Sequence, residues 1–291
     1  MARALKAKDP SLAKPRKPKM LAFGDAGVGK TWAAMGFPRP YYTDAEGGAS
    51  LPHYTKRLKE VGGVYIGPED GANDYTIMTD EIKTLATTKH PYRTLVVDSH
   101  TKMFNTEVAV EYQRLQSIGR DMDKTFGAEK KSAINWMRKW LLWFEKIDMT
   151  CILICHSRAM WKDGKEVGTT FDGYDKLSFE LDLVVHVIKQ GASRKARIIK
   201  SRLEQFQEGT VIDWSYESFA SLYGAEVLEA EAAPVEPPTE EQILDYTGML
   251  DVMKVDPKLL EKWAEVELSD LTREQLQKRL DYLVKLQKGE K

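Results

Sequence analysis

Met20-Leu-Ala-Phe23 is a short apolar run, followed at once by Gly24-Asp-Ala-Gly-Val-Gly-Lys-Thr31. No other segment constrains the fold so tightly. The motif matches G-x-x-x-x-G-K-[ST] in full, and the following Trp32-Ala-Ala-Met35 is compatible with a helix. A strand that turns through glycines into a helix gathers backbone N–H groups around one point, and such a nest binds phosphate. Gly24, Gly27 and Gly29 permit the tight turn and keep side chains out of the cradle, while Asp25, Ala26 and Val28 complete its wall. Lys30 is expected to reach the β- and γ-phosphates, and Thr31 to place its hydroxyl on Mg2+. ATP is favoured over GTP, because the guanine-reading N-K-x-D motif does not occur in the chain.

The rest of the core alternates apolar strands with helical stretches, which predicts an α/β fold around a mainly parallel sheet. Strands are expected at 19–24, 40–44, 63–66, 94–98, 150–156, 183–189 and 196–200. Helices are expected at 29–35, 72–87 and 128–147. In the last, Ile134, Met137, Leu141, Phe144 and Ile147 form a stripe at helical spacing. Cys151 and Cys155 fall on one face of a strand and read as core residues. With only these two cysteines in 291 residues, a disulfide-rich secreted scaffold is excluded, and a reducing, cytoplasmic setting is expected.

Two carboxylates stand where chemistry needs them. Thr94-Leu-Val-Val-Asp98 is an apolar strand ending in an acid, so Asp98 is the second candidate magnesium ligand beside Thr31. Ser99 is a possible polar helper, and His100 and Lys102 read as local surface residues. No second acid follows Asp98 directly. Tyr42-Thr-Asp-Ala-Glu-Gly-Gly48 supplies an alternative: Glu46 lies just past a strand, where a carboxylate can orient water for in-line attack. Asp44 competes for that role.

Charge is uneven along a chain whose formal net charge is only -1. Residues 1–19 form a basic arm, read either as solvated or as touching phosphates. Residues 225–238 are an acidic, proline-containing linker, expected to be extended. They divide a core at 20–224 from a small helical module at 239–291. In that module, Thr239, Pro257 and Thr272 mark helix starts.

In order along the chain, GDAGVGKT, YYTDAEGG, TLVVDS, CILICHS and a late Lys-x-Arg pair resemble the RecA-like recombinase core. More closely, they resemble small phage RecA-like ATPases that act as single-strand annealing proteins. The resemblance spans about 18–215 and implies a RecA-like P-loop fold and ATP hydrolysis. It carries the catalytic glutamate onto Glu46 and the γ-phosphate sensor onto His156, where RecA itself has glutamine. It carries the basic pair that reaches a neighbour's phosphates onto Lys200 and Arg202, and so implies a homo-oligomer, filament or ring.

The resemblance also implies DNA-binding loops near 113–131 and 157–178. The second is glycine-rich and expected to be mobile; Arg158, Lys162 and Lys165 offer charge, and Trp161 a stacking face. The expected partners are single-stranded DNA and, through the C-terminal module, a single-strand-binding protein. No membrane is expected, and the setting would be host cytoplasm if the chain is phage-encoded. A hexameric helicase or DNA motor, or a nucleotide-gated protein scaffold, are the alternative functions.

Overall fold

The computed structural model describes residues 7, 9–13 and 15–288. Nine strands build the sheet: β1 (Lys19–Gly24), β2 (Pro40–Asp44), β3 (Val64–Ile66), β4 (Thr94–Asp98), β5 (Thr150–Lys162), β6 (Lys165–Phe171), β7 (Leu183–Gln190), β8 (Ser193–Ser201) and β9 (Val211–Asp213). Their order is β3-β2-β4-β5-β1-β7-β8-β9, with β6 paired to the far end of β5. β3 through β7 in that order run parallel, while β8 and β9 add antiparallel edges. Every residue of β1 and β4 is buried, as expected for parallel strands covered on both faces. This is a P-loop NTPase fold, a mainly parallel sheet with its buried strands covered on both faces.

Helices cover the two faces. α1 (Lys30–Ala34), α2 (Pro52–Glu60), α3 (Tyr75–Thr87), α4 (His100–Ser117), α5 (Lys131–Phe144), α6 (Leu177–Glu180), α7 (Tyr216–Tyr223) and α8 (Ala225–Glu229) belong to the core region. On one face, α3 and α5 bury Met78, Ile82, Met137, Trp140 and Phe144 against Leu95, Val97 and Leu153. The other face packs Ala33, Ala34 and Phe219 against Met20, Ile152 and Val185. Each such large side chain contributes roughly 1.5–3 kcal/mol when fully buried. Trp140 and Trp143 are thus core residues beside the predicted α5 stripe, and Cys151 and Cys155 are buried.

Several expectations need correction. α4 runs into the expected 113–131 loop as far as Ser117; only the portion after it is irregular, with short 3-10 turns at Met122–Lys124 and Ala128–Lys130. His100 is not a surface residue. As the first residue of α4 it is fully buried, with Tyr75 Oη 3.3 Å and Met137 Sδ 2.8 Å from Nε2. Of the basic arm, Arg3, Lys6, Lys8 and Lys14 lie outside the described residues. Arg16 pairs with Asp182, and Lys17 and Lys19 are buried, donating to main-chain carbonyls at 147–149 and 230. Those two ammonium groups are bound to carbonyls just before β5 and just after α8 rather than displayed to solvent.

The acidic stretch is no free tether. It begins as α8, with Leu228 buried, and continues as a strap over the core. Arg93 donates to Glu229 O, Val235 N to Ala86 O, and Ala233 N to Asp148 Oδ2. Apolar neighbours Ala232 and Val235 pack on the core. Beyond it stand α9 (Glu240–Val252), α10 (Pro257–Ala264) and α11 (Arg273–Gln287). α9 and α11 both open with complete capping boxes, Thr239 with Gln242 and Thr272 with Gln275. α9 and α11 share a small core of Tyr246, Leu276, Leu280 and Leu283, and Leu259 and Trp263 of α10 pack against it. Buried Asp270 fastens them to α3 and α5: it pairs with Lys83 at 2.6 Å and accepts from Trp143 Nε1 at 3.1 Å.

Candidate functional site

β1 delivers Gly24 to the C-terminal edge of the sheet, between β5 and β7. The loop that follows is shaped by glycine. Gly24 has φ 159°, and a Cβ there would collide with Val187 O of β7. Gly27 (φ 76°) and Gly29 (φ 90°) occupy left-handed backbone. Lys30 is buried and its Nζ donates to Gly24 O at 2.7 Å and Asp25 O at 2.8 Å. Burial lowers its pKa, and Asp98, Glu46 and Asp25 oppose that by favouring the ammonium. The cation is therefore held on the loop it must serve.

Parallel pairing brings the ends of β2 and β4 level with Ile154 of β5, at the same edge. Thr31 Oγ1 donates to Asp98 Oδ2 at 2.5 Å, and Tyr42 Oη donates to the same oxygen at 2.6 Å. Burial raises the Asp98 pKa, against the two hydroxyl donors, which lower it. Thr31 and Asp98 thus present adjacent hard oxygen donors, a set that suits a magnesium ion, beside a glycine cradle that side chains would fill.

Asp44 and Glu46 have separate tasks. Asp44 is buried; its Oδ1 accepts from Glu46 N and Gly47 N at 3.1 and 2.9 Å, and its Oδ2 from Ala49 N at 2.5 Å. It staples the turn after β2. Glu46 is displayed by that turn, half-exposed, with Oε1 2.6 Å from Ser99 Oγ and 2.7 Å from His156 Nε2. Burial works to raise the Glu46 pKa, but the Ser99 and His156 bonds, with the charges of His156 and Lys30, bring it below its ordinary value. An ionised carboxylate able to accept a proton is what water activation requires. Ser99, rather than turning toward Asp98, fixes Glu46 and caps α4 through Lys102 N.

His156 is the first exposed residue of β5, just past buried Cys155, with its N–H bonded to Thr101 Oγ1 at 3.0 Å. The chain beyond it is not a mobile loop. β5 continues to Lys162 and returns as β6, paired from Ser157↔Phe171 to Lys162↔Lys165. The turn is Asp163-Gly164, with φ 52° and 74°. Asp-Gly with both residues left-handed is the type I′ turn that matches strand twist, so this dipeptide was the available signal for a hairpin. Trp161 is 65% exposed near the tip, flanked by exposed Lys162 and Lys165. Arg158 differs: it is engaged within the chain, donating to Phe171 O at 3.1 Å and pairing with Asp175. Ser157 donates to Asp25 Oδ1, tying the hairpin root to the phosphate loop.

Lys200 and Arg202 are not at this edge. Lys200 pairs with Val184, level with Leu21 rather than Gly24, so it sits toward the opposite end of the strands. Its ammonium donates to Leu181 O, and Arg202 donates to Phe179 O and Glu180 O. Burial, then the Arg202 charge, lowers the Lys200 pKa.

Residues 16–211, more than half of the chain, match a family model described as an AAA domain. The chain belongs to that AAA domain family, and with its phosphate loop it is a nucleotide-binding P-loop NTPase. No curated protein matches the chain. A solved structure of the RadB recombinase matches over 67% of this chain and 86% of that one, at 16% identity and a TM-score of 0.40. None of the described helices is long and apolar enough to cross a membrane.

Proposed function

We propose that this protein is a magnesium-dependent ATPase that binds single-stranded DNA and acts in recombination or single-strand annealing as a homo-oligomer. The observation that carries the reading is the bonded line Ser99–Glu46–His156 at the edge of the phosphate loop, with the β5–β6 hairpin growing directly from His156. A nucleotide sensor and a protruding basic-aromatic hairpin on one strand give DNA and nucleotide a short mechanical connection.

Thr31 and Asp98 would hold the magnesium ion, which supplies charge neutralisation across the phosphates. Lys30 leaves the Gly24 and Asp25 carbonyls to bind the phosphates, and the loop amides fix their position. Glu46 orients the attacking water and takes its proton. His156 and Ser99 hold the Glu46 carboxylate in place, and His156 is positioned to register whether the terminal phosphate is present. Lys200 and Arg202 cannot serve the phosphates of their own chain from the far end of the strands, which supports action on a neighbour's nucleotide. Trp161 with Lys162 and Lys165 would stack on bases and neutralise backbone phosphates.

The deciding experiment is steady-state ATP hydrolysis with and without single-stranded DNA, followed by annealing and unwinding assays on the same preparation. Stimulation by DNA with annealing and no unwinding is the expected result. Unwinding would move the protein to the motors, and hydrolysis indifferent to DNA would remove DNA from the reading.

A further inference from the structure

The β7–β8 hairpin places one unexpected cation at the phosphate loop. Arg194, Ala196 and Ile198 alternate along β8, and Ala196 and Ile198 lie in the core that also holds Ala33 and Ala34 of α1. One step beyond that row, Arg194 crosses Gly29. A Cβ on Gly29 would lie 2.8 Å from Arg194 Cγ and 2.9 Å from its Nε. Gly29 is therefore required twice, for its left-handed backbone and for the room this side chain occupies.

The charge on Arg194 has little to answer it. One guanidinium nitrogen donates to Ala192 O at 2.7 Å, within the hairpin tip. Among the described residues no carboxylate stands within 4.0 Å of it, whereas neighbouring Lys195 pairs with Asp213 at 2.7 Å. The Arg194 stem lies against Gly29, the residue before Lys30, and Lys30 holds its own ammonium on the Gly24 and Asp25 carbonyls of the same loop. The one acid in the loop, Asp25, accepts from Ser157 on the other side of β1. One loop thus carries two cations, Arg194 across Gly29 and Lys30 on the Gly24 and Asp25 carbonyls, and such a glycine-shaped phosphate loop suits a multiply charged anion.

We propose that Arg194 is a second basic ligand of the nucleotide polyphosphate, acting in cis on the nucleoside di- or triphosphate held by its own chain's loop. This rests on the nucleotide reading above. It assigns to the hairpin tip the cis charge that Lys200 and Arg202, at the other end of the strands, do not supply.

The test is equilibrium binding of ATP, ADP and adenosine to the full chain, comparing wild type with Arg194→Met, Arg194→Ala and Arg194→Lys. Methionine keeps the stem that covers Gly29 and removes the charge. Arg194→Met and Arg194→Ala should each weaken ATP and ADP by roughly tenfold or more, leave adenosine unchanged, and flatten the salt dependence of ATP binding. Arg194→Lys should recover part of the loss. Wild-type affinity for ATP in Arg194→Met would overturn the proposal, leaving Arg194 as packing alone. Equal losses for adenosine and ATP would overturn it too, because charge would not be the cause. If wild type itself bound neither ATP nor ADP, the nucleotide reading would fall first and Arg194 with it.

Discussion

Glu46 Oε1 and His156 Nε2 stand 2.7 Å apart although 110 residues separate them in the chain. Parallel pairing of β2, β4 and β5 closes that distance, because Asp44 and Asp98, the last residues of β2 and β4, stand level with Ile154, two residues before His156. The carboxylate of Glu46 is thereby both ionised and aimed, while Asp44, two residues earlier, is consumed by backbone amides.

That division of labour predicts different phenotypes for two variants. Glu46→Gln should bind ATP as wild type does and lose roughly a hundredfold or more in hydrolysis rate. Lys30→Ala should weaken ATP binding itself, by roughly tenfold or more. Equilibrium binding alongside steady-state turnover separates the two. Normal turnover in Glu46→Gln would return the base role to Asp44 or another group.

The placement of Lys200 and Arg202 predicts complementation between chains. Lys200→Ala and Arg202→Ala should depress hydrolysis in assemblies more than nucleotide binding by single chains. Mixing either with Glu46→Gln should restore part of the activity, because some interfaces then combine an intact Glu46 with an intact basic pair. No recovery in proven mixed assemblies would count against action across an interface.

For the hairpin, Trp161→Ala should cost roughly 1–3 kcal/mol of single-stranded DNA affinity if a base stacks there. The double variant Lys162→Ala with Lys165→Ala should lower affinity and reduce its salt slope. Fluorescence anisotropy over a salt series reads both. Unchanged affinity and unchanged stimulation in both variants would take DNA off this hairpin.

Buried His100 predicts a pH signature in stability. Burial pushes its pKa down from 6.5 to about 4, with Asp172 opposing weakly. The unfolded chain therefore binds a proton that the folded chain refuses. Stability is full above about pH 6.5 and declines as pH falls towards 4, by roughly 2 kcal/mol between pH 7 and pH 4.5. Urea unfolding across that range should show the slope in wild type and a shallower one in His100→Gln.

Legibility in the sequence followed the range of the interactions. The phosphate loop, the first four parallel strands and the capping boxes of α9 and α11 rest on neighbours a few residues apart, and each was readable. The β5–β6 hairpin was readable in principle from Asp163-Gly164, but the surrounding glycines and lysines masked its short alternation. α4 was hidden because its polar residues outnumber its buried ones; only His100, Thr101, Met103, Phe104 and Leu115 are buried. His100, Lys17 and Lys19 carry polar labels that say nothing of the cavities waiting for them.

Backbone propensity and apolar patterning act locally, so residue order alone is enough to specify a P-loop between a buried strand and a helix, a mainly parallel sheet and a carboxylate at the end of β4. Long-range packing sets which side chains meet: Glu46 with His156 and Ser99, Asp25 with Ser157, Arg194 with Gly29, and Lys200 away from its own phosphate loop. Those meetings depend on strand order and register. They are set by burying both faces of the sheet at once, a condition that the whole chain satisfies jointly and no single segment encodes.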